Sequence, residues 1–262
     1  NLNTLFPTII CDKIDIYLIL NTYHINLSIN QMITRSYYNN VLVFDVETTG
    51  LINPALPLES LPYILQLSFI IYNTKQKKIT KTANYYVRVE EDIQISEQIT
   101  TLTGINRQII RDKGVPIADV LKDFYEAYMK CNCIVAHNID FDRKMINIEI
   151  GRNWQTLDNE CIYIKKVFDN EFQKRHQIDN FCTMRYSRGI CKIERVNKKG
   201  EKYYKNPKLV ELYEHLFHNI PANLHDSMVD TYVCLQCFAK MKLHHELPNT
   251  FLRMTSASSL CV

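Results

Sequence analysis

Residues 41–47 read VLVFDVE, an apolar run of strand length that is broken near its end by two acids two positions apart. The run predicts a buried strand. A second strand is predicted at 64–73 (ILQLSFIIYN) and a third at 82–90 (TANYYVRVE), with the polar NTKQKK between them as a hairpin turn. From Ser96 to Gly114 the spacing predicts one or two short helices punctuated by Gly104 and Gly114, and Pro116 opens a helix over IADVLKDFYEAYMK, residues 117–130. CIVAHN at 133–138 predicts a short buried strand leading into a helix over FDRKMINIEI, 141–150. FCTMRYS at 181–187 reads as another strand, PKLVELYEHLF at 207–217 as a helix with Pro207 in its first turn, and SMVDTYVCLQCFAKMK at 227–242 as the last helix. Strands first, then helices and strands in alternation, predict an α/β fold: a mixed sheet with helices on both faces. The resulting organisation is an N-terminal extension over 1–39, a domain over 40–245 and a C-terminal tail over 246–262.

With 262 residues, 46% hydrophobic and 23% charged, the chain can bury a large core. Its net charge of +3 permits a nucleic-acid partner without demanding one. Nine cysteines with no framework spacing point to a reducing, intracellular setting. Cys131 with Cys133, and Cys234 with Cys237, are short pairs, but zinc needs four ligands in compatible places, so buried thiols are expected. No apolar run approaches the ~20 residues of a membrane span, and no basic segment precedes a small-residue cleavage site. No membrane partner and no secretory leader are therefore expected. The first residue is Asn, not Met.

Along a strand, residues i and i+2 share a face, so Asp45 and Glu47 project together. Two anions on one face of an apolar strand repel each other and lose hydration, so something positive must sit between them. Two answers are open: a Lys or Arg at a sheet edge, or a divalent cation, for which oxygen ligands favour magnesium or manganese. Two other segments bear on the choice. In VAHNIDFD, 135–142, Asp142 falls on the first turn of a helix and Asp140 is a candidate cap. In LHDSMVDTYVC, 224–234, His225 precedes Asp230 by five residues, about 140° apart on a helix, which places His225 on the loop or cap before it.

In order, spacing and flanking residues, FDVETTG, AHNIDFD and HDSMVD resemble the three motifs of the DEDD superfamily of 3′-to-5′ exonucleases, in the branch with histidine in its last motif. That group includes the proofreading subunits of bacterial replicative polymerases, the animal three-prime repair exonucleases and oligoribonuclease. ITTLTGINRQII and PYILQLSF also match family segments, and the resemblance covers roughly residues 40–241. It implies an RNase H-like mixed five-stranded sheet flanked by helices on both faces. It also implies two Mg2+ (or Mn2+) ions per site, about 4 Å apart, that activate water and stabilise the leaving 3′ oxygen. Asp45, Glu47 and Asp230 would hold one ion, and Asp45 would bridge to a second whose hydration shell Asp142 holds. His225 would be the general base. Asp140 would be a non-catalytic acid.

The resemblance further implies that Val46, Thr48, Thr49, Gly50 and Leu51 meet the terminal nucleotide, with Leu51 beside the last base. Thr103 and Ile105 would line the opposite wall, and Asn138 and Phe141 the floor, although Ile105 and Phe141 are equally suited to the core. Between the second and third motifs, Arg188–Lys208 holds eight Lys or Arg and two Glu, with NKKG at 197–200 as a hairpin tip. This insert is either a solvated excursion or a flap gripping single strands through Lys198, Lys199 and Lys202. The leading expectation is a metal-dependent exonuclease releasing nucleoside 5′-monophosphates from single-stranded DNA 3′ ends. The same chemistry on RNA and a catalytically silent nucleic-acid-binding module are the alternatives.

Overall fold

The computed structural model describes residues 38–157, 163–221 and 224–248. The expected extension lies outside them except for residues 38 and 39, and so does the expected tail beyond residue 248. Five strands, β1 (Asn40–Thr48), β2 (Ile64–Asn73), β3 (Lys78–Tyr86), β4 (Cys133–Ala136) and β5 (Asp179–Cys182), form one sheet in the order β3-β2-β1-β4-β5. β1 is antiparallel to β2 and parallel to β4, and β4 is parallel to β5, so the sheet is mixed with β1 at its centre. That position explains the unbroken apolar run Val41–Phe44, because both faces of the strand are covered and all four residues are 0% exposed.

The helices are α1 (Glu97–Thr103), α2 (Arg107–Lys113), α3 (Ile117–Met129), α4 (Ile139–Arg152), α5 (Trp154–Leu157), α6 (Asn170–His176), α7 (Thr183–Cys191), α8 (Leu209–Phe217) and α9 (Ser227–Phe238). A separate hairpin, β6 (Glu194–Val196) and β7 (Lys202–Tyr204), lies between α7 and α8. On one face of the sheet Leu42, Phe44, Val46, Leu67 and Phe69 pack with Val120, Leu121 and Phe124 of α3 and Met145 and Ile146 of α4. The other face carries α9, joined to the strands by Ser227 Oγ donating to the Asp45 carbonyl at 2.7 Å and Thr231 Oγ1 to that of Ser68 at 3.4 Å. Helices therefore cover both faces, as expected.

Four local expectations need correction. FCTMRYS is not one strand: the ladder with β4 ends at Ala136 opposite Cys182, and the chain turns into α7 at Thr183. The third strand lies earlier than predicted, because its register runs from Lys78 opposite Asn73 to Tyr86 opposite Gln66; beyond it the Val87 N–H still donates to the Leu65 carbonyl at 2.9 Å, and Val87 makes an isolated bridge to Val115. Pro207 precedes α8, whose first residue is Leu209; the Lys208 N–H donates to Glu211 Oε2 at 2.7 Å. Asp140 does not cap α4 but lies within it and pairs with Arg185.

None of the six described cysteines forms a disulfide, and five of them are buried. Among the described residues no helix is long and apolar enough to cross a membrane.

Candidate active site

Asp45 and Glu47 lie at the C-terminal end of β1, and Asp142 lies one turn into the helix that leaves the C-terminal end of β4. Open α/β sheets gather functional loops at this end of their parallel strands. Asn138, at φ 75°, makes the sharp exit from β4 into α4, a left-handed conformation that asparagine tolerates. Asp142 then reaches back to the central strand, where its Oδ1 accepts the Val46 N–H at 3.3 Å. Directly after Glu47 the β1–β2 register shifts, and this irregularity turns the chain toward Thr49 and Gly50.

The third segment is seated by its helix cap. Asp226 accepts from the Met228 and Val229 N–H groups at 2.9 and 3.2 Å and from Gln66 Nε2 at 3.4 Å, while the Ser227 N–H donates to Gln66 Oε1 at 3.3 Å. Gln66 is fully buried on β2, so the start of α9 is fixed to the sheet beside Glu47. His225 stands just before the cap, as expected, in the left-handed region at φ 73°. Its N–H donates to Asp230 Oδ2 at 3.4 Å. One ligand atom each from Glu47, His225 and Asp230 lies within 4.8 Å of the others, with the His225 ring exposed.

Five carboxylates share this end of the sheet, Asp45, Glu47, Asp142, Asp230 and the capping Asp226, and among the described residues none of them is ion-paired to Lys or Arg. Burial, then the charges of Asp142, Asp230 and Glu47, hold the Asp45 carboxyl well above the usual carboxylate range. Burial, then Asp230 and Asp142, push Glu47 up to about 8. Burial raises Asp142 to about 8 against the pull of the Val46 N–H, and Asp230 to about 7 against that of the His225 N–H. Asp230 Oδ1 is buried and has no hydrogen-bond partner among the described residues. The sheet-edge ion pair left open by the sequence is therefore not found, whereas a hard divalent cation fits this all-oxygen set with its orphaned acceptor.

Around the carboxylates, Thr48 Oγ1 donates to the Gly50 carbonyl at 2.8 Å, and the Thr49 N–H donates to the Tyr63 carbonyl at 2.9 Å. A Cβ on Gly50 would meet nothing within 4 Å, and Leu51 is 85% exposed beside it. They border a cavity of about 360 Å³ whose other walls include Leu56, Tyr63 and Ile93. Thr103 is occupied at the end of α1, donating to the Ile99 carbonyl and accepting from the Ile105 N–H. Ile105 packs with Leu65 and Ile110 and is 1% exposed, so it takes the core alternative. Phe141 is partly buried against the main core. On the hairpin Lys198 and Lys199 are exposed near the tip, but Lys202 pairs with Glu194 at 2.8 Å.

Sequence reasoning did not single out Asp226, Gln66 or His137. Asp226 could have been found as an N-cap acid before an apolar helix. The His137 ring donates from Nε2 to the Pro207 carbonyl and meets Thr183 Oγ1 through Nδ1, both at 3.0 Å. Burial pushes it down to about 4, so it is neutral. It ties the turn before Asp142 to the chain leaving the basic hairpin.

A family model described as Exonuclease matches residues 42–238. The chain is 31% identical over 140 residues to the "DNA polymerase III PolC-type" of Caldanaerobacter subterraneus subsp. tengcongensis, covering 53% of this chain and 9% of that protein. It is 33% identical over 149 residues to "3'-5' exoribonuclease 1" of Rattus norvegicus, covering 53% of this chain and 42% of that one. The chain thus spans less than half the length of either relative. Among solved structures, the zinc-ion-bound form of the E. coli exonuclease I–single-stranded DNA complex aligns with a TM-score of 0.54 at 22% identity, over 78% of this chain and 41% of that one, a likeness of fold.

Proposed function

Because the chain belongs to the exonuclease family, whose model spans most of its sheet and helices, we propose that it is a 3′-to-5′ exonuclease releasing nucleoside 5′-monophosphates from single-stranded DNA ends. The observation that carries this reading is the meeting of Asp45, Glu47, Asp142 and Asp230 with His225 at one end of the sheet, without a protein cation among the described residues. Two Mg2+ or Mn2+ ions bound there would neutralise the acids, polarise water and the scissile phosphate, and stabilise the leaving 3′ oxygen. Asp45, Glu47 and Asp230 would hold one such ion, and Asp45 would share the other, whose hydration shell Asp142 would hold. His225, exposed and held by its backbone in front of Asp230, takes the proton of the attacking water on a ring nitrogen. The Thr48–Leu51 turn, with Asn138 and Phe141 as the floor, orients the terminal nucleotide, Val46 contributing only backbone because its side chain lies in the core, and Gly50 leaves room for close approach. Lys198 and Lys199 grip the backbone of the incoming strand, with Tyr203 and Tyr204, both about half exposed, as stacking surfaces.

The domain carrying this activity is residues 40–245, and the absence of a disulfide among its described cysteines fits an intracellular setting. The same chemistry on RNA is the second reading, favoured by the similarity to 3'-5' exoribonuclease 1. End-labelled DNA and RNA of equal sequence, single- and double-stranded, incubated with Mg2+, Mn2+ or chelator, separate the two. A metal-dependent ladder from the 3′ end of single-stranded DNA supports the first, and one confined to RNA replaces it with the second. Asp45→Ala is expected to keep oligonucleotide binding and lose nucleotide release. Equal release by mutant and wild type would assign the chemistry elsewhere.

A further inference from the structure

Arg152, the last residue of α4, lies far along the helix from Asp142, and its side chain is only 9% exposed. Every N–H of its guanidinium has an acceptor. Nε and Nη2 donate to the Leu58 carbonyl at 3.1 and 3.0 Å, Nη2 also to that of Leu61, and Nη1 to the Pro62 carbonyl and to Glu149 Oε1, both at 2.9 Å. The guanidinium also stacks on the Tyr63 ring at 3.7 Å. Glu149 Oε1 in turn accepts the Ile64 N–H at 3.0 Å, where β2 begins. One buried pair thus holds the chain from Leu58 to Ile64.

This segment is the far side of the turn that follows Glu47. Tyr63 exchanges two hydrogen bonds with Thr49, its N–H donating to Thr49 Oγ1 and its carbonyl accepting the Thr49 N–H, both at 2.9 Å. Thr49, Gly50 and Leu51 form one wall of the 360 Å³ cavity, and Leu61, Pro62 and Tyr63 another. Asp45 and Glu47, by contrast, are held by ladder pairing with Ser68 and Gln66. A fixed guanidinium fork that binds four acceptor groups differs from a lysine, which has one compact ammonium.

We propose that Arg152, with Glu149, is a positioning residue that sets substrate affinity by holding the Thr49–Leu51 turn, without touching the substrate or the carboxylate cluster. This rests on the exonuclease reading. The test compares wild type with R152K, which keeps a positive charge beside Glu149 and loses the fork. KM for a 5′-labelled single strand is expected to rise about tenfold with kcat within about threefold, the signature of lost uniform binding. Mn2+ affinity should be unchanged, and amide exchange across residues 51–64 should accelerate. Unaltered exchange, an unaltered KM, or a loss confined to kcat and Mn2+ affinity overturns the proposal. If wild type itself releases no nucleotide from DNA or RNA, the exonuclease reading fails, and exchange over 51–64 still decides whether the clasp exists. Should R152K not fold, Tyr63→Leu removes the stacked ring and leaves the guanidinium hydrogen bonds; a KM increase of about threefold is expected, and no change counts against the clasp.

Discussion

Helix α4 carries two buried acids, Asp142 near its start and Glu149 near its end, and their surroundings answer burial in opposite ways. Burial pushes Glu149 upward, but the Ile64 N–H and Arg152 pull it back. At Asp142 burial is opposed only by backbone N–H groups, and its neighbours at the sheet end are further carboxylates. A buried acid completed within the protein is structural. A set of buried acids with no protein cation among the described residues has the character of the cation site proposed above, and each member raises the proton affinity of the next.

Five changes would break or sharpen this contrast. Asp45→Asn removes the acid central to the cluster, and nucleotide release from end-labelled DNA is expected to fall by about 10³-fold or more. Arg152→Met strips Glu149 of its partner, and urea unfolding should show a loss of about 3–5 kcal/mol, the usual result of orphaning a buried ion-pair member. His225→Ala should lower kcat by about 10²–10³-fold without changing Mn2+ affinity as Asp45→Asn does, because the role proposed for it is proton transfer.

Asp230→Asn should act on stability in the reverse sense from Arg152→Met. In metal-free protein it removes a repelling charge, and the melting midpoint at pH 8 should rise by roughly 3–8 °C. The sign follows from proton binding. Glu47 goes from 4.5 to about 8 on folding, so between those values the folded state holds more protons than the unfolded chain. Metal-free stability is therefore highest at the low end of that window and falls as pH rises through it. Melting curves in chelator should show this decline, and saturating Mn2+ should flatten it. The smallest effect belongs to the hairpin: Lys198→Ala with Lys199→Ala should reduce the salt slope of single-strand binding by about 1.4, two phosphate contacts at ~0.7 each.

Much of this contrast was legible in the sequence and some was not, for physical reasons. β1, β2 and α9 were visible because burial on both faces, or along a whole helix, leaves long apolar runs. Asp45 and Glu47 stood out at the end of the β1 run, whereas Asp142, His225 and Asp230 stood out only because FDVETTG, AHNIDFD and HDSMVD together, in order, resemble the family's three motifs. FCTMRYS misled because only Phe181 and Cys182 continue the ladder, and β4 is too short to pair further. Asp140 resembled a cap because it is an acid near a helix start, yet the chain exits β4 so tightly that Asn138 takes that place. Arg152 left no trace, since four of its five hydrogen bonds go to backbone carbonyls about 90 residues away, and any residue can supply a carbonyl. Lys202 was expected to contact substrate from its charge alone, and its pairing with Glu194 depends on hairpin register.

The central claim is that the carboxylates at the end of β1 form a divalent-cation site. Calorimetric titration of Mn2+ into wild type and Asp45→Asn at pH 8 tests it most directly. Saturable binding to wild type that is abolished or strongly weakened in Asp45→Asn is the predicted result. Equal binding by both proteins, or none by wild type at millimolar Mn2+, would contradict it.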